Sequence, residues 1–190
     1  MKGEWCFFKS YLDAKTCDSI VEVIKNRPAK DATLGVQGVV ADSNFRRSNI
    51  RFVNENDAEL GYVFNTLWKT ALIANKEWFD FHITNLDYFQ VAEYKSENKG
   101  EYKQHQDVFW VNQESTRHRK LSCIIQLSDP TKYEGGDLEL YNLEEYPKKE
   151  DLRAQGTIIF FPSFIYHAAL PVTKGTRYSI AAWFEGPKWR

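Results

Sequence analysis

Cysteine is scarce in this chain: Cys6, Cys17 and Cys123 are an odd set without the spacing of a disulfide framework. They read as small buried apolar residues of a protein kept in a reducing compartment. Long apolar runs are absent too. None approaches the roughly 18 residues that a membrane-spanning helix needs. The opening Met1-Lys2-Gly3-Glu4-Trp5 lacks the uninterrupted apolar core of a secretion signal. Neither sign of charge is in excess, since the formal net charge is −1. No overall field would therefore draw the chain to nucleic acid or to an acidic membrane surface. Internal repeats, low-complexity tracts and linkers are also missing. A cytoplasmic enzyme or binding domain is the expectation, without a nucleic-acid or membrane partner.

What the chain does have is apolar matter for a full core. It is 190 residues long, 43% hydrophobic and 15% aromatic, which suits one domain over residues 1–190 with a helical and strand layer at 1–82. In that layer Asp13 is a candidate N-cap, and Cys17, Ile20, Val21 and Ile24 keep helical spacing until Pro28. Leu34 to Val40 alternates loosely around Gly35 and Gly38 as a strand or mobile hairpin, and Asp42-Ser43-Asn44 is turn chemistry. Ser48 to Val53 reads as a strand with Ile50 and Phe52 on one face and Arg51 on the other. From Asn56 a second helix carries a broad stripe of Leu60, Val63, Phe64, Leu67, Trp68, Ala71 and Leu72, which packs on a sheet.

After Trp78 the pattern is one of strands: Tyr88 to Tyr94, Tyr102 to Trp110, Leu121 to Leu127, Asp137 to Tyr141, Thr157 to Phe161, Ile165 to Leu170 and Arg177 to Phe184. Turn signals at Asp129-Pro130, Gly135-Gly136, Pro147, Gly156, Pro162 and Gly175 separate them. The expected class is α+β, mainly β: a sandwich or barrel with its core at 83–187 and one sheet covered by the helices.

His105-Gln106-Asp107 carries the chemistry. In a strand, residues i and i+2 share a face, so His105 and Asp107 would project side by side. With a second histidine they would complete a 2-His-1-carboxylate triad, the site type of non-haem Fe(II) oxygenases. Alone, the tripeptide reads as an ordinary solvated strand or loop position, and the case depends on what surrounds it. His167, within the apolar stretch Phe161 to Ala169, is the third candidate, with a core histidine bonded to a backbone carbonyl as the alternative. Ten residues further on, Arg177 stands in the nearly uncharged stretch Thr176 to Trp183. A guanidinium there needs an anion, because an unpaired buried charge is expensive, and its fork suits a carboxylate. Either an Asp or Glu of the chain supplies that anion, or a dicarboxylate co-substrate reaches from metal to arginine.

In the order H-x-D, distal His, then Arg ten residues later, the chain resembles the Fe(II)- and 2-oxoglutarate-dependent dioxygenases. Gln90 to Tyr94 with Tyr102 to Asp107, Leu121 to Leu138, and Gly156 to His167 are similar to segments of prolyl 4-hydroxylases and related prolyl/lysyl-hydroxylase-type (PKHD-type) domains. The likeness runs from about Gln90 to Trp183. It implies a double-stranded β-helix, a jelly roll of eight strands. It also implies that His105, Asp107 and His167 bind catalytic Fe(II), that Arg177 holds the distal carboxylate of 2-oxoglutarate, and that Tyr94 hydrogen-bonds this co-substrate. Tyr102, Arg119 and Trp183 match positions that meet a peptide substrate. Tyr102 and Trp183 read equally as packing residues, and Arg119 as part of a solvated basic loop, Arg117-His118-Arg119-Lys120. His82 and His118 match no ligand position.

The resemblance implies hydroxylation of an aliphatic C–H, a peptidyl-proline first, with O2 consumed, succinate and CO2 released and ascorbate as reductant. The partner is then a protein or peptide. Another side chain, a free amino acid or a small metabolite is the second reading, and nucleic-acid demethylation is disfavoured by the charge. A non-catalytic jelly-roll binding module would have no need of Arg177. By fold analogy the stretch 31–49 reads as a lid over the substrate.

Overall fold

Two longer helices, a short third one and two unequal antiparallel sheets make up the computed structural model, which describes residues 1–31, 44–110 and 116–189. Helix α1 (Ala14–Lys25) begins where the Asp13 carboxylate accepts the Thr16 N–H at 2.7 Å, and it buries Cys17, Ile20, Val21 and Ile24. Helix α2 (Val63–Ala74) runs into a π turn at Asn75–Phe79 and stops at Asp80, whose φ of 57° is left-handed. It starts later than the expected Asn56. The Asp57 carboxylate accepts from the Glu59 and Leu60 N–H groups and from Arg27, which holds the intervening residues in turns. Its buried stripe is Val63, Phe64, Leu67, Thr70, Ala71 and Ala74, while Leu72 is 56% exposed and lies outside it. A short helix α3 (Lys149–Arg153) follows much later. No described helix is long and apolar enough to cross a membrane.

The strands are β1 (Cys6–Phe8), β2 (Lys30–Asp31), β3 (Arg46–Arg47), β4 (Asn49–Asn54), β5 (Tyr88–Lys95), β6 (Glu101–His105), β7 (Arg117–Gln126), β8 (Tyr133–Gly135), β9 (Leu138–Leu140), β10 (Ile158–Pro162), β11 (His167–Ala169) and β12 (Val172–Pro187). The larger sheet runs β1-β10-β7-β12-β5-β4-β2, with β8 joined to β12, and the smaller runs β3-β6-β11-β9. All these pairings are antiparallel. The chain is therefore mostly β, built of antiparallel sheets with few helices.

Alternation along the central strands decides the layers. Phe89 and Val91 of β5, Ile125 of β7, and Ile180, Ala182 and Phe184 of β12 pack with Ile20 and Ile24 of α1 and Phe64 and Leu67 of α2. Full burial of such a Leu, Ile or Phe contributes about 1.5–3 kcal/mol each, which fixes the helices to this face. On the other face Ile124, Ile159 and Phe161 pack with Leu138 and Leu140 of the smaller sheet. Beyond that contact a cavity remains, lined by Gln90, Tyr94, Arg177 and Ser179. The Gly135-Gly136 turn makes room beside it. Both φ angles are positive (70° and 63°), and a Cβ on Gly136 would come 2.8 Å from Val172 Cγ2 and 3.1 Å from Arg177 Cδ.

Some expectations need correction. β6 ends at His105, so Gln106 to Trp110 are not strand and the i, i+2 argument does not position Asp107. The Asp107 and Val108 N–H groups both bond Ser163 O, at 2.9 and 3.2 Å, and this draws the chain out of the ladder. Phe52 does not share the burial of Ile50: they are 50% and 3% exposed. β2 pairs only with Asn49 and Ile50 of β4, and Phe52, beyond that cover, packs edge-on against Tyr88. Leu34 to Val40, and with it most of the stretch read as a lid, lies outside the described residues.

Candidate active site

β6 and β11 pair in a register that sets His105 opposite His167, with ring centroids 4.2 Å apart. Asp107, just past the end of β6, is turned back between them by its bond to Ser163. Its Oδ1 lies 3.6 Å from His105 Nε2 and its Oδ2 3.4 Å from His167 Nε2. The ligating atoms of the three residues all lie within 4.8 Å of one another. Each imidazole Nδ1 faces a backbone carbonyl, Lys103 O at 2.7 Å and Ile165 O at 3.0 Å. A carbonyl only accepts, so both Nδ1 atoms carry a proton, and Nε2 is the atom each ring turns to the carboxylate and can offer to a metal. His167 is thus bonded to a carbonyl and aimed at Asp107 at the same time. Ser122 Oγ donates to Asp107 Oδ2 at 2.6 Å and lies 3.0 Å from Ser163 Oγ, which orients the carboxylate.

Burial lowers the His167 pKa to about 4, so its imidazole is neutral near pH 7. Burial alone would raise Asp107, but His167, His105 and Arg119 outweigh it and hold the carboxyl well below the usual carboxylate range. Two imidazole Nε2 atoms and an ionised carboxylate converge where Asp107 and His167 are buried and His105 half-buried, which suits a cation among them. Two imidazoles and one carboxylate form the donor set of a non-haem iron site, and these residues fit Fe(II).

The triad lines a cavity shared with Arg177 and Tyr94. Arg177 is 2% exposed. Its Nε and Nη2 both donate to Gln126 Oε1, at 3.2 and 2.9 Å, and no carboxylate among the described residues pairs with it. The structural ion pair that the sequence left open is therefore absent there. Tyr94 is the register partner of Arg177, with the guanidinium carbon 5.4 Å from its ring centroid.

Residues 89–185 match the family model of the 2OG-Fe(II) oxygenase superfamily. The chain belongs to that superfamily. A PKHD-type hydroxylase of Synechococcus sp. (strain CC9311) is 29% identical to this oxygenase over 179 residues, covering 92% of this chain and 74% of its own. A PKHD-type hydroxylase of Aliarcobacter butzleri (strain RM4018) is 29% identical over 160 residues, covering 80% and 65%. This chain thus spans only part of the length of these curated relatives. Among solved structures, a Pseudomonas putida prolyl-4-hydroxylase superposes with a TM-score of 0.73 at 17% identity, over 97% of this chain and 94% of that one. A Trichoplax adhaerens prolyl hydroxylase, in complex with a hypoxia inducible factor oxygen degradation domain peptide fragment, gives 0.74 at 18% identity over 96% and 83%. At such identities the likeness is one of fold.

Of the remaining candidates of this oxygenase, Tyr102 and Trp183 line the same cavity and Arg119 lies over Trp183. Tyr102 stacks on the His105 ring, with centroids 3.5 Å apart and planes 16° from parallel, and burial pushes its phenol up to about 12. Trp183 lines the cavity, and the Arg119 guanidinium lies 4.0 Å over its ring and 5.3 Å over that of Phe109. Arg119 also donates to the Tyr88 hydroxyl at 3.1 Å, so it sits in β7 rather than in a solvated loop. His118 stands apart, with Nδ1 accepting the Trp189 N–H at 3.2 Å. A wider groove on another face, along Gly3 to Phe7 and Glu144-Glu145, holds none of these residues.

Sequence reasoning missed Arg46, Ser122, Gln126 and Ser163. Ser122 and Gln126 had a signal, as polar residues at even spacing in the otherwise apolar run Leu121 to Leu127. Arg46 had none, because nothing distinguishes it from its neighbour Arg47.

Proposed function

We propose that this oxygenase hydroxylates an aliphatic C–H of a protein or peptide, a prolyl residue first, using Fe(II), 2-oxoglutarate and O2. Succinate and CO2 leave as co-products, and ascorbate serves as reductant. The carrying observation is Arg177, a buried guanidinium with no carboxylate partner among the described residues, on the cavity that holds the His105–Asp107–His167 donor set. PKHD-type relatives, and the fold likeness to prolyl hydroxylases, one of them in complex with a peptide fragment, support a peptide substrate.

In this reading His105, Asp107 and His167 hold the iron, which when bound supplies the O2 chemistry that attacks an unactivated carbon. The Lys103 and Ile165 carbonyls keep the Nδ1 protons in place, so both Nε2 lone pairs stay available. Ser122 holds the Asp107 carboxylate in one orientation. Arg177, braced by Gln126, receives the distal carboxylate of 2-oxoglutarate as a fork, and the Tyr94 hydroxyl hydrogen-bonds the same molecule. Ile124, Leu138 and Ala181 on the cavity walls keep water out. Tyr102, Arg119 and Trp183 position the substrate.

The same reading takes the two sheets as the walls of a double-stranded β-helix with α1 and α2 packed on the larger one. Residues 1–82 and 83–187 act as one unit in the cytoplasm, supported by the single core that α1, α2, β5, β7 and β12 share.

Labelled 2-oxoglutarate supplied with Fe(II) and ascorbate should yield succinate and CO2. A proline-peptide screen read by mass for one added oxygen then separates prolyl hydroxylation from action on another side chain or a small metabolite. Wild-type protein that never consumes 2-oxoglutarate, or a His105→Ala variant that consumes it equally fast, refutes the reading.

A further inference from the structure

Arg27, Arg47, Arg51, Arg117 and Arg153 each meet a carboxylate. Among the described residues, Arg46, Arg119 and Arg177 meet none, and these three gather at one place. Arg46 and Arg177 line the cavity, and Arg119 lies over Trp183, which lines it too. Arg177 is assigned above to 2-oxoglutarate. Arg119 is only half-buried, so water still reaches its charge, and the rings of Trp183 and Phe109 and the Tyr88 hydroxyl hold it in place. That leaves Arg46.

Arg46 is 7% exposed, so its charge is largely withdrawn from water. Its Nε donates to Ser48 Oγ at 2.9 Å, and its guanidinium carbon lies 4.3 Å over the Tyr102 ring, the ring that stacks on His105. A row from Arg46 through Tyr102 to His105 therefore joins this cation to the candidate metal ligands. A neutral hydroxyl and an aromatic face do not neutralise a buried guanidinium, which favours an anion from beyond the described residues. The iron and co-substrate do not supply it. A divalent metal and the two guanidinium groups that line the cavity, set against Asp107 and a dianionic 2-oxo acid, leave it with positive charge to spare.

Resting on the function proposed above, we infer that Arg46 is an anion subsite for the substrate, so that the carbon hydroxylated lies beside a carboxylate. The planar guanidinium matches a carboxylate's two oxygens, and the cavity places that pairing next to the candidate iron ligands. Preference for an acidic neighbour is then set by Arg46, whatever residue is hydroxylated.

The test uses three proline peptides: one with glutamate next to the proline, one ending in proline with a free C-terminal carboxylate, and an amidated control with glutamine in place of glutamate. Each is assayed for kcat and KM with wild type, Arg46→Gln and Arg46→Lys. Each is also titrated against the Zn(II)-substituted proteins with 2-oxoglutarate present, read by tryptophan fluorescence. Wild type should favour one carboxylate arm over the control by about tenfold or more, through KM and through binding, as expected for a charged hydrogen bond. The arm that is favoured identifies the source of the carboxylate. Arg46→Gln should bring the ratio to about one, and Arg46→Lys should restore part of it. Equal binding of all three peptides by wild type, or a ratio retained in Arg46→Gln, overturns the inference. So does a raised KM for 2-oxoglutarate with the ratio kept, which would assign Arg46 to the co-substrate. Failure of wild type to consume 2-oxoglutarate at all is a separate result, and counts against the oxygenase reading instead.

Discussion

Along β12, Tyr178, Ile180, Ala182 and Phe184 turn to the helices, while Arg177, Ser179, Ala181 and Trp183 turn to the cavity. Both faces contain buried charge, and they treat it differently. On the helix side Glu93 accepts from Arg51 Nη1 at 2.8 Å and from the Tyr178 hydroxyl at 2.7 Å. Burial would raise that carboxyl, but those partners hold it below its ordinary value. On the cavity side Arg177 has an amide oxygen and no described carboxylate. One face closes its electrostatics with its own side chains. The other leaves them open, and a charge left open inside a protein marks where a ligand belongs.

This contrast breaks or holds by mutation. On the open face Asp107→Ala should reduce 2-oxoglutarate turnover by about 10³-fold or more, since it removes a metal ligand rather than a packing group. Its thermal midpoint should stay close to wild type, because the variant removes a costly buried anion together with that anion's contacts. Turnover and a melting curve check both parts. On the closed face the order reverses. Glu93→Ala strands Arg51 and the Tyr178 hydroxyl, and should cost about 3–5 kcal/mol in urea unfolding while the KM for 2-oxoglutarate moves little. Arg177→Ala should instead raise that KM by about 10- to 100-fold, with a stability change within about 1 kcal/mol because only the Gln126 amide loses a donor. Equal destabilisation by Glu93→Ala and Arg177→Ala would remove the distinction between the faces.

The same contrast explains what the sequence made legible. Short strand-like stretches set off by turn signals located both central strands, Tyr88 to Tyr94 and Arg177 to Phe184. Arg177 stood out because an uncharged strand gives a guanidinium no local excuse. Asp107 was singled out for the wrong geometric reason. Its placement depends on the bond to Ser163 O, a contact between residues 56 positions apart (163 − 107 = 56) that no local pattern encodes. The start of α2 was misread for a similar cause, since Asp57 is drawn into turns by Arg27 from a different helix end. Arg46 was invisible because its meaning comes from the lack of a carboxylate partner, and a missing contact leaves no trace in a sequence.

The Arg27–Asp57 pair provides the smallest test, as a partly exposed counterpart of the Glu93 cluster. Arg27 Nη1 lies 2.6 Å from Asp57 Oδ2, and the Asp57 side chain is 18% exposed. The Arg27 hydrogen bond lowers the Asp57 pKa from 3.8 to about 2, against the opposing effect of burial. A carboxyl whose folded pKa lies below its unfolded value stabilises the protein above the unfolded pKa. That stability is lost as pH falls through the folded one. The window is therefore about pH 4 down to about pH 2. Solvent screening at this exposure limits the effect to about 1 kcal/mol. Asp57→Asn removes the titration, so the stability gap between wild type and variant should narrow by about that amount from pH 6 to pH 2. Urea midpoints at the two pH values measure the narrowing. A gap that stays constant would mean that the pair holds α1 against the turn by shape and neutral hydrogen bonds, and the charge on the closed side of the molecule would then matter only where it is buried.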